Sequence, residues 1–207
     1  MSFRPAAERE GHRAFLNRYY RHVRHVYDLS RRYYLFGRDR VLGEMLAEPW
    51  ERLIEVGPGT GRNLRKLHRA RPGARYGGLE ASDVMLEHAR KRCPWAKLQQ
   101  GFAEEANLSS LLGRPPDRIL FSYVLSMVQD AERALVRARQ SLAPGGKVVV
   151  VDFGDLAGLP WLAGPLARFL RSFHVTAPPR RLLEAQGGEL RWGPGRYFVV
   201  AELGAAS

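Results

Sequence analysis

Two features of this 207-residue chain could do chemistry: the run Glu55-Val56-Gly57-Pro58-Gly59-Thr60-Gly61, and Glu80 at the end of Tyr76-Gly77-Gly78-Leu79-Glu80. Glycines let a backbone turn approach a ligand with no Cβ in the way. An acid at the tip of the next strand can accept hydrogen bonds from two vicinal ribose hydroxyls. Together they describe a nucleoside cofactor site at the carboxyl ends of a parallel sheet. Glu55 has two readings: it reaches the cofactor's ammonium group, or it caps a backbone group.

The surrounding pattern supplies the elements that must hold these residues. Residues 12–31 read as an amphipathic helix. Phe15, Leu16, Tyr19, Tyr20, Val23, Val26 and Tyr27 fall on one arc, and Arg13, Arg18, Arg21, Arg24 and Asp28 on the other. Residues 33–40 lead into a short helix through Leu42, Met45 and Leu46 that ends near Pro49. These pieces precede the sheet and are placed across its carboxyl edge. Strands follow at 52–56, 74–79, 97–100, 118–121 and 147–152, with helices at 62–70, 83–92 and 130–142 and a weak one at 108–112. The valine run from Lys147 to Asp152 suits a central, buried strand. Residues 156–173, rich in Trp161, Leu162, Leu166, Phe169 and Phe173, add a helix beyond a minimal βα unit. A helix at 181–186, a strand at 190–192, a turn and a strand at 196–203 complete one domain. Its parts are a helical cap (1–49), a cofactor-binding core (50–155), an insert (156–176) and a terminal helix and hairpin (177–207).

Spacing bears on the cofactor. A dinucleotide fingerprint wants glycines at relative positions one, three and six. Here they stand at 57, 59 and 61, and position six is Arg62. S-adenosylmethionine needs no phosphate cradle, only room for an amino-acid moiety, and the turn fits it more naturally. At this point the chain resembles the class I S-adenosylmethionine-dependent methyltransferases over nearly its whole length. The resemblance implies an α/β, Rossmann-like seven-stranded sheet with an antiparallel last strand, an N-terminal helical cap and an insert after strand five. It places the family's glycine motif on Glu55–Gly61, its ribose acid on Glu80, and another signature on Leu142-Ala-Pro-Gly-Gly-Lys147. Within Glu80-Ala81-Ser82-Asp83-Val84-Met85, Met85 is expected against adenine. The adenine loop becomes Gly101-Phe102-Ala103-Glu104, where an aspartate often precedes the alanine. The full cofactor set expected is Tyr33, Arg38, Glu55, Gly57, Pro58, Gly59, Thr60, Gly61, Asn63, Glu80, Ala81, Ser82, Met85, Phe102, Ala103 and Ser122, with S-adenosylhomocysteine as product and no metal.

The flanks carry a closer resemblance. His22–Arg40, Gly59-Thr-Gly-Arg-Asn63-Leu64, Ser122-Tyr123-Val-Leu-Ser-Met127 and Val151-Asp152-Phe153-Gly154 are similar to bacterial N-methyltransferases that complete betaine lipids. That implies three methylations of diacylglycerylhomoserine, with phosphatidylethanolamine as the alternative acceptor. Aromatic faces tolerate a growing quaternary ammonium. Tyr27, Tyr34 and Tyr123 are therefore the acceptor-side candidates, with Asp152 to hold the amine and His174 to orient the head group or relay a proton.

The formal charge of +12 usually signals a polyanionic partner. An arginine-rich genome is the bland alternative. The apolar, aromatic insert favours an anionic membrane surface over nucleic acid, so the protein is expected to be cytoplasmic and peripheral at the inner membrane face. The single cysteine, Cys93, excludes an internal disulfide and a thiolate zinc cluster.

Overall fold

The computed structural model describes residues 10–11, 13–14, 16–18, 35–161, 163–172 and 180–206. Those within 10–18 are helical. The rest of the N-terminal helix expected over 12–31 lies outside the described residues. Helix α1 (Arg38–Ala47) leads into β1 (Arg52–Val56), α2 (Arg62–Ala70), β2 (Arg75–Glu80), α3 (Asp83–Arg92) and β3 (Lys97–Gln100). Then come β4 (Arg118–Ser122), α4 (Ala131–Ser141), β5 (Lys147–Phe153), α5 (Ala163–Ser172), α6 (Arg180–Ala185), β6 (Glu189–Trp192) and β7 (Phe198–Gly204).

The sheet runs β3-β2-β1-β4-β5-β7-β6. β1 through β5 pair in parallel, while β7 is antiparallel to both β5 and β6. This is the seven-stranded, methyltransferase-type sheet that the sequence led us to expect. Successive residues of a strand face opposite sides, and the core divides accordingly. Leu53, Val149 and Val151 pack under the side carrying α1, α2 and Cys93, with Leu42, Leu64 and Leu67. Ile54, Val148 and Val150 pack under the side carrying α4 and α6, with Leu135, Ala138 and Leu183.

Local chemistry sets the element ends. Asp130 starts α4 as its N-cap, its side chain accepting from the Arg133 N–H at 3.0 Å. The weak helix expected at 108–112 is a single 3₁₀ turn, Leu108–Ser110, entered through Asn107, which accepts from the Ser109 N–H. β7 begins two residues later than the pattern suggested because Pro194–Arg196 closes a 3₁₀ turn first.

α1 is fastened to the sheet by a chain of ion pairs. Glu44 meets Arg191 at 2.9 Å, Arg191 meets Glu202 at 2.9 Å, and Glu202 meets Lys147 at 3.2 Å. Lys147 meets Glu48 at 2.8 Å, and Glu48 meets the nearly buried Arg118 at 2.6 Å. The opposite end of α1 carries Arg38 to the carboxyl edge of the sheet.

Candidate active site

Order reverses between β1 and β4, the place where open α/β sheets hold ligands beyond their strand ends. The turn after β1 occupies that position. Gly57, Gly59 and Gly61 take φ values of 65°, 57° and 76°, a region that disfavours any residue with a Cβ. At two of these positions the missing Cβ makes room for the protein itself. A Cβ on Gly57 would lie 2.4 Å from Val124 Cγ2, and one on Gly61 would lie 2.6 Å from Cys93 Sγ.

Glu80, at the end of β2, anchors the turn. Its Oε2 accepts from the Gly59 N–H and its Oε1 from the Ser82 N–H, both at 3.0 Å. A carboxylate at this strand end, beside the turn and on the wall of a cavity, is of the type that accepts from a pair of ribose hydroxyls. Ser82 is buried as the N-cap of α3 and bonds Asn17 of the N-terminal helix at 2.8 Å. Asn17 also donates to Asp83 at 3.0 Å. These bonds hold Leu16 over the start of α3.

Two cavities adjoin across the turn, and Gly57 and Gly59 line both. The first is walled by Leu16, Glu80, Ala81, Phe102, Ala103, Glu104, Tyr123, Met127 and Gln129. The second is walled by Leu35, Arg38, Glu55, Pro58, Thr60, Arg62, Asn63 and Ser122. Met85 departs from expectation. It is fully buried against Leu16, and Leu16 takes its place on the wall. Gly61 lines neither cavity, and Ser82 serves as a cap.

The second cavity is chemically distinctive. Glu55 is 1% exposed, and its Oε1 accepts from Asn63 Nδ2 at 2.7 Å. Among the described residues, three buried polar atoms here have no hydrogen-bond partner: Arg38 Nε, Glu55 Oε2 and Ser122 Oγ. Burial pushes the Glu55 carboxyl up to about 7, with Asn63 and Arg38 offsetting part of the effect and Glu80 adding to it. A cation, an acid and a hydroxyl left bare around one space match an amino-acid head group. The acid at the tip of β2 matches a ribose. The residues present therefore fit S-adenosylmethionine; Glu55 accepts from the Asn63 side chain through Oε1, and its Oε2 faces no hydrogen-bond donor among the described residues.

The acceptor-side residues sort differently. Tyr123 follows β4 at φ 55°, its ring lines the first cavity and packs edge-on to Phe153 at 4.7 Å. Its hydroxyl donates to the Phe36 carbonyl, and burial raises its pKa, so it supplies a face rather than a base. Asp152 does not reach the cavity. It is 0% exposed, and its oxygens accept from the backbone N–H groups of Leu125 and Phe153 at 3.1 and 2.8 Å. It holds the loop that carries Tyr123. Tyr27, Tyr33, Tyr34 and His174 lie outside the described residues. Val128 and Gln129 are wall residues that sequence reasoning missed, as neither belongs to a quoted motif. Glu104, the last residue of the adenine loop, also lines the first cavity.

The fold, with its glycine turn and strand-end acid, is of the class I methyltransferase type. Its cofactor is S-adenosylmethionine, and residues 54–148 match the family model described as a methyltransferase domain. The chain is 36% identical over 106 residues to a trans-aconitate 2-methyltransferase of Methylobacterium nodulans, covering 51% of this chain and 39% of that one. It is 30% identical over 135 residues to a demethylmenaquinone methyltransferase of Thermus thermophilus, covering 61% and 60%. The chain thus spans under two thirds of the length of either curated relative. A Thermotoga maritima structure, titled a SAM-dependent methyltransferase and possible histamine N-methyltransferase, superposes with a TM-score of 0.67 at 21% identity, covering 92% of this chain and 98% of that one.

Proposed function

We propose that the protein is an N-methyltransferase acting on the amino head group of a lipid, converting diacylglycerylhomoserine to its trimethylated betaine in three successive transfers. The observation that carries this reading is the part of the first cavity's wall that follows β4, where Tyr123, Val124, Met127 and Val128 present an aromatic and apolar face. The bound cofactor supplies an already activated sulfonium methyl, so the protein's task is alignment. An alkylamine must be neutral to attack, and an apolar wall favours that form by desolvating its ammonium. Aromatic faces then accommodate the quaternary product, which needs no hydrogen-bond partner. Gln129 is a polar group on the same wall, of a type that can orient the amine by a hydrogen bond.

Access supports a lipid. Phe36 and Trp161 are 53% and 86% exposed. Phe36 packs on Tyr197 beside the carboxyl end of β5, and Trp161 opens the segment that leads into α5. Residues 1–34 carry eight Lys or Arg against three Asp or Glu, which suits an anionic bilayer. No helix among the described residues is long and apolar enough to cross a membrane, and the attachment we propose is peripheral.

The test is a mass-spectrometric assay of purified protein and S-adenosylmethionine. Diacylglycerylhomoserine, phosphatidylethanolamine, trans-aconitate, a demethylated quinone and an RNA pool are offered side by side. Mono-, di- and trimethylated homoserine lipid should accumulate in turn. Exclusive methylation of phosphatidylethanolamine would keep the lipid class and change the head group. Exclusive methylation of a small acid, quinone or RNA would overturn the proposal.

A further inference from the structure

The second cavity poses a problem of charge. Glu55 is enclosed, bonded through one oxygen to Asn63, and bare at the other. Arg38 approaches from α1, buried and bare at Nε. Burial lowers the pKa of Arg38, like-charge repulsion from Arg62 adds to that, and Asp39, Glu55 and Tyr123 oppose it. Asp39 itself is held by Arg62 at 3.0 Å and Lys66 at 3.0 Å, so it is already committed. Glu80 faces Glu55 from β2 and repels its charge, Cys93 beyond α3 is a thiol pushed up to about 11 by burial, and Tyr123 is a neutral phenol. No histidine is among the described residues that line this cavity. Among the described residues, the partial counter-charge of an ionised Glu55 is Arg38, and a ligand carboxylate arriving at Arg38 would weaken it.

We propose that Glu55 is a proton-exchanging residue: it is neutral before the cofactor binds and gives up its carboxyl proton as the cofactor's α-ammonium arrives beside it. The inference rests on the cofactor assignment above. The balance is simple. The Glu55 O–H bond breaks, its proton passes to buffer, and the carboxylate left behind faces the ammonium while Arg38 faces the ligand carboxylate. Free Glu55 titrates near 7, so about 0.9 proton per cofactor should be released at pH 6 and about 0.1 at pH 8. Affinity should rise toward tenfold per pH unit below that range and level off above it. A free α-amino group titrates at about 7.7–8.0, so the ligand's own amine is charged at about pH 6 to 7, where the release from Glu55 is read, and begins to titrate itself only toward pH 8.

The experiment is titration calorimetry at pH 6 to 8 in phosphate and in Tris, whose ionisation enthalpies differ, so the difference in heat counts protons. The ligands are S-adenosylmethionine, S-adenosylhomocysteine and 5′-methylthioadenosine, which lacks the amino-acid head group. The first two should release a proton from the wild type, and the third should bind with none. Glu55→Gln should bind the first two with no release at pH 6. Binding without proton release, equal release by 5′-methylthioadenosine, or unchanged release from Glu55→Gln would each overturn the proposal. Failure of the wild type to bind any of the three at any pH would instead sink the cofactor assignment.

Discussion

Gly61→Ala tests whether the glycine turn is shaped by its ligand or by its own packing. The substitution carries two separable costs. A Cβ-bearing residue in the left-handed region loses about 1–2 kcal/mol. The new methyl would also sit 2.6 Å from Cys93 Sγ and 3.7 Å from the Ala89 Cα, inside a fully buried contact. Overpacking of that kind costs about 1–3 kcal/mol. The total, roughly 2–5 kcal/mol, is a large part of the stability of an ordinary domain and should lower Tm by about 5–15 °C. Cys93→Ala removes the opposing sulfur, so the double variant should recover most of the packing cost and keep the backbone cost. In a cycle of four proteins unfolded in guanidinium chloride, the coupling should reach about 1–3 kcal/mol. Additivity within about 0.5 kcal/mol would refute the reasoning, because it would mean the sulfur does not oppose the methyl. Gly61 lines neither cavity, so folded Gly61→Ala should bind S-adenosylmethionine within about threefold of wild type. A large affinity loss at intact stability would return Gly61 to the ligand.

Glu80→Ala deletes both the ribose acceptor and the anchor for the Gly59 and Ser82 N–H groups; calorimetry should show cofactor affinity falling by about 2–4 kcal/mol, and equal affinity would remove Glu80 from the site. The Glu55 carboxyl is raised from 4.5 to about 7, so the folded state binds more protons than the unfolded state between those values and stability falls as pH rises through them. Ligand-free Glu55→Gln should therefore exceed wild type by about 1–3 kcal/mol at pH 8 and match it near pH 4 in denaturant unfolding. A difference that stays constant with pH would show that Glu55 does not titrate in this window.

Much of the core was legible because its signals are local. The valine run of β5, the spacing of glycines after β1 and the acid closing β2 each report a constraint acting within a few residues, and β1, α2, α3 and β3 stand where the pattern placed them. What the sequence hid depends on contacts between distant segments. Asp152 reads as a free carboxylate at a strand end, and only the fold shows the Leu125 N–H that occupies it. Met85 sits in the expected motif, yet a helix far upstream interposes Leu16. Tyr123 was assigned to the acceptor side for its position after β4, but nothing local reveals that the Phe36 carbonyl holds its hydroxyl. The bare atoms of Arg38, Glu55 and Ser122 come from three separate elements, so their convergence is a property of the sheet edge alone.

The last described strand in sequence lies inside the sheet, with β5 on one side and β6 on the other. During synthesis, every cofactor-cavity residue from Leu35 to Gln129 leaves the ribosome long before Phe198–Gly204. Until those seven residues emerge, β5 is an open edge whose valines have no antiparallel neighbour, and an exposed apolar edge invites pairing with other chains. Glu202, which relays the ion-pair chain between Lys147 and Arg191, arrives only then as well. The nascent protein thus carries a nearly complete cofactor site on an unfinished scaffold. Early cofactor binding at that stage would favour the native arrangement by mass action, so the abundance of the small molecule can influence how much of the protein survives its own synthesis.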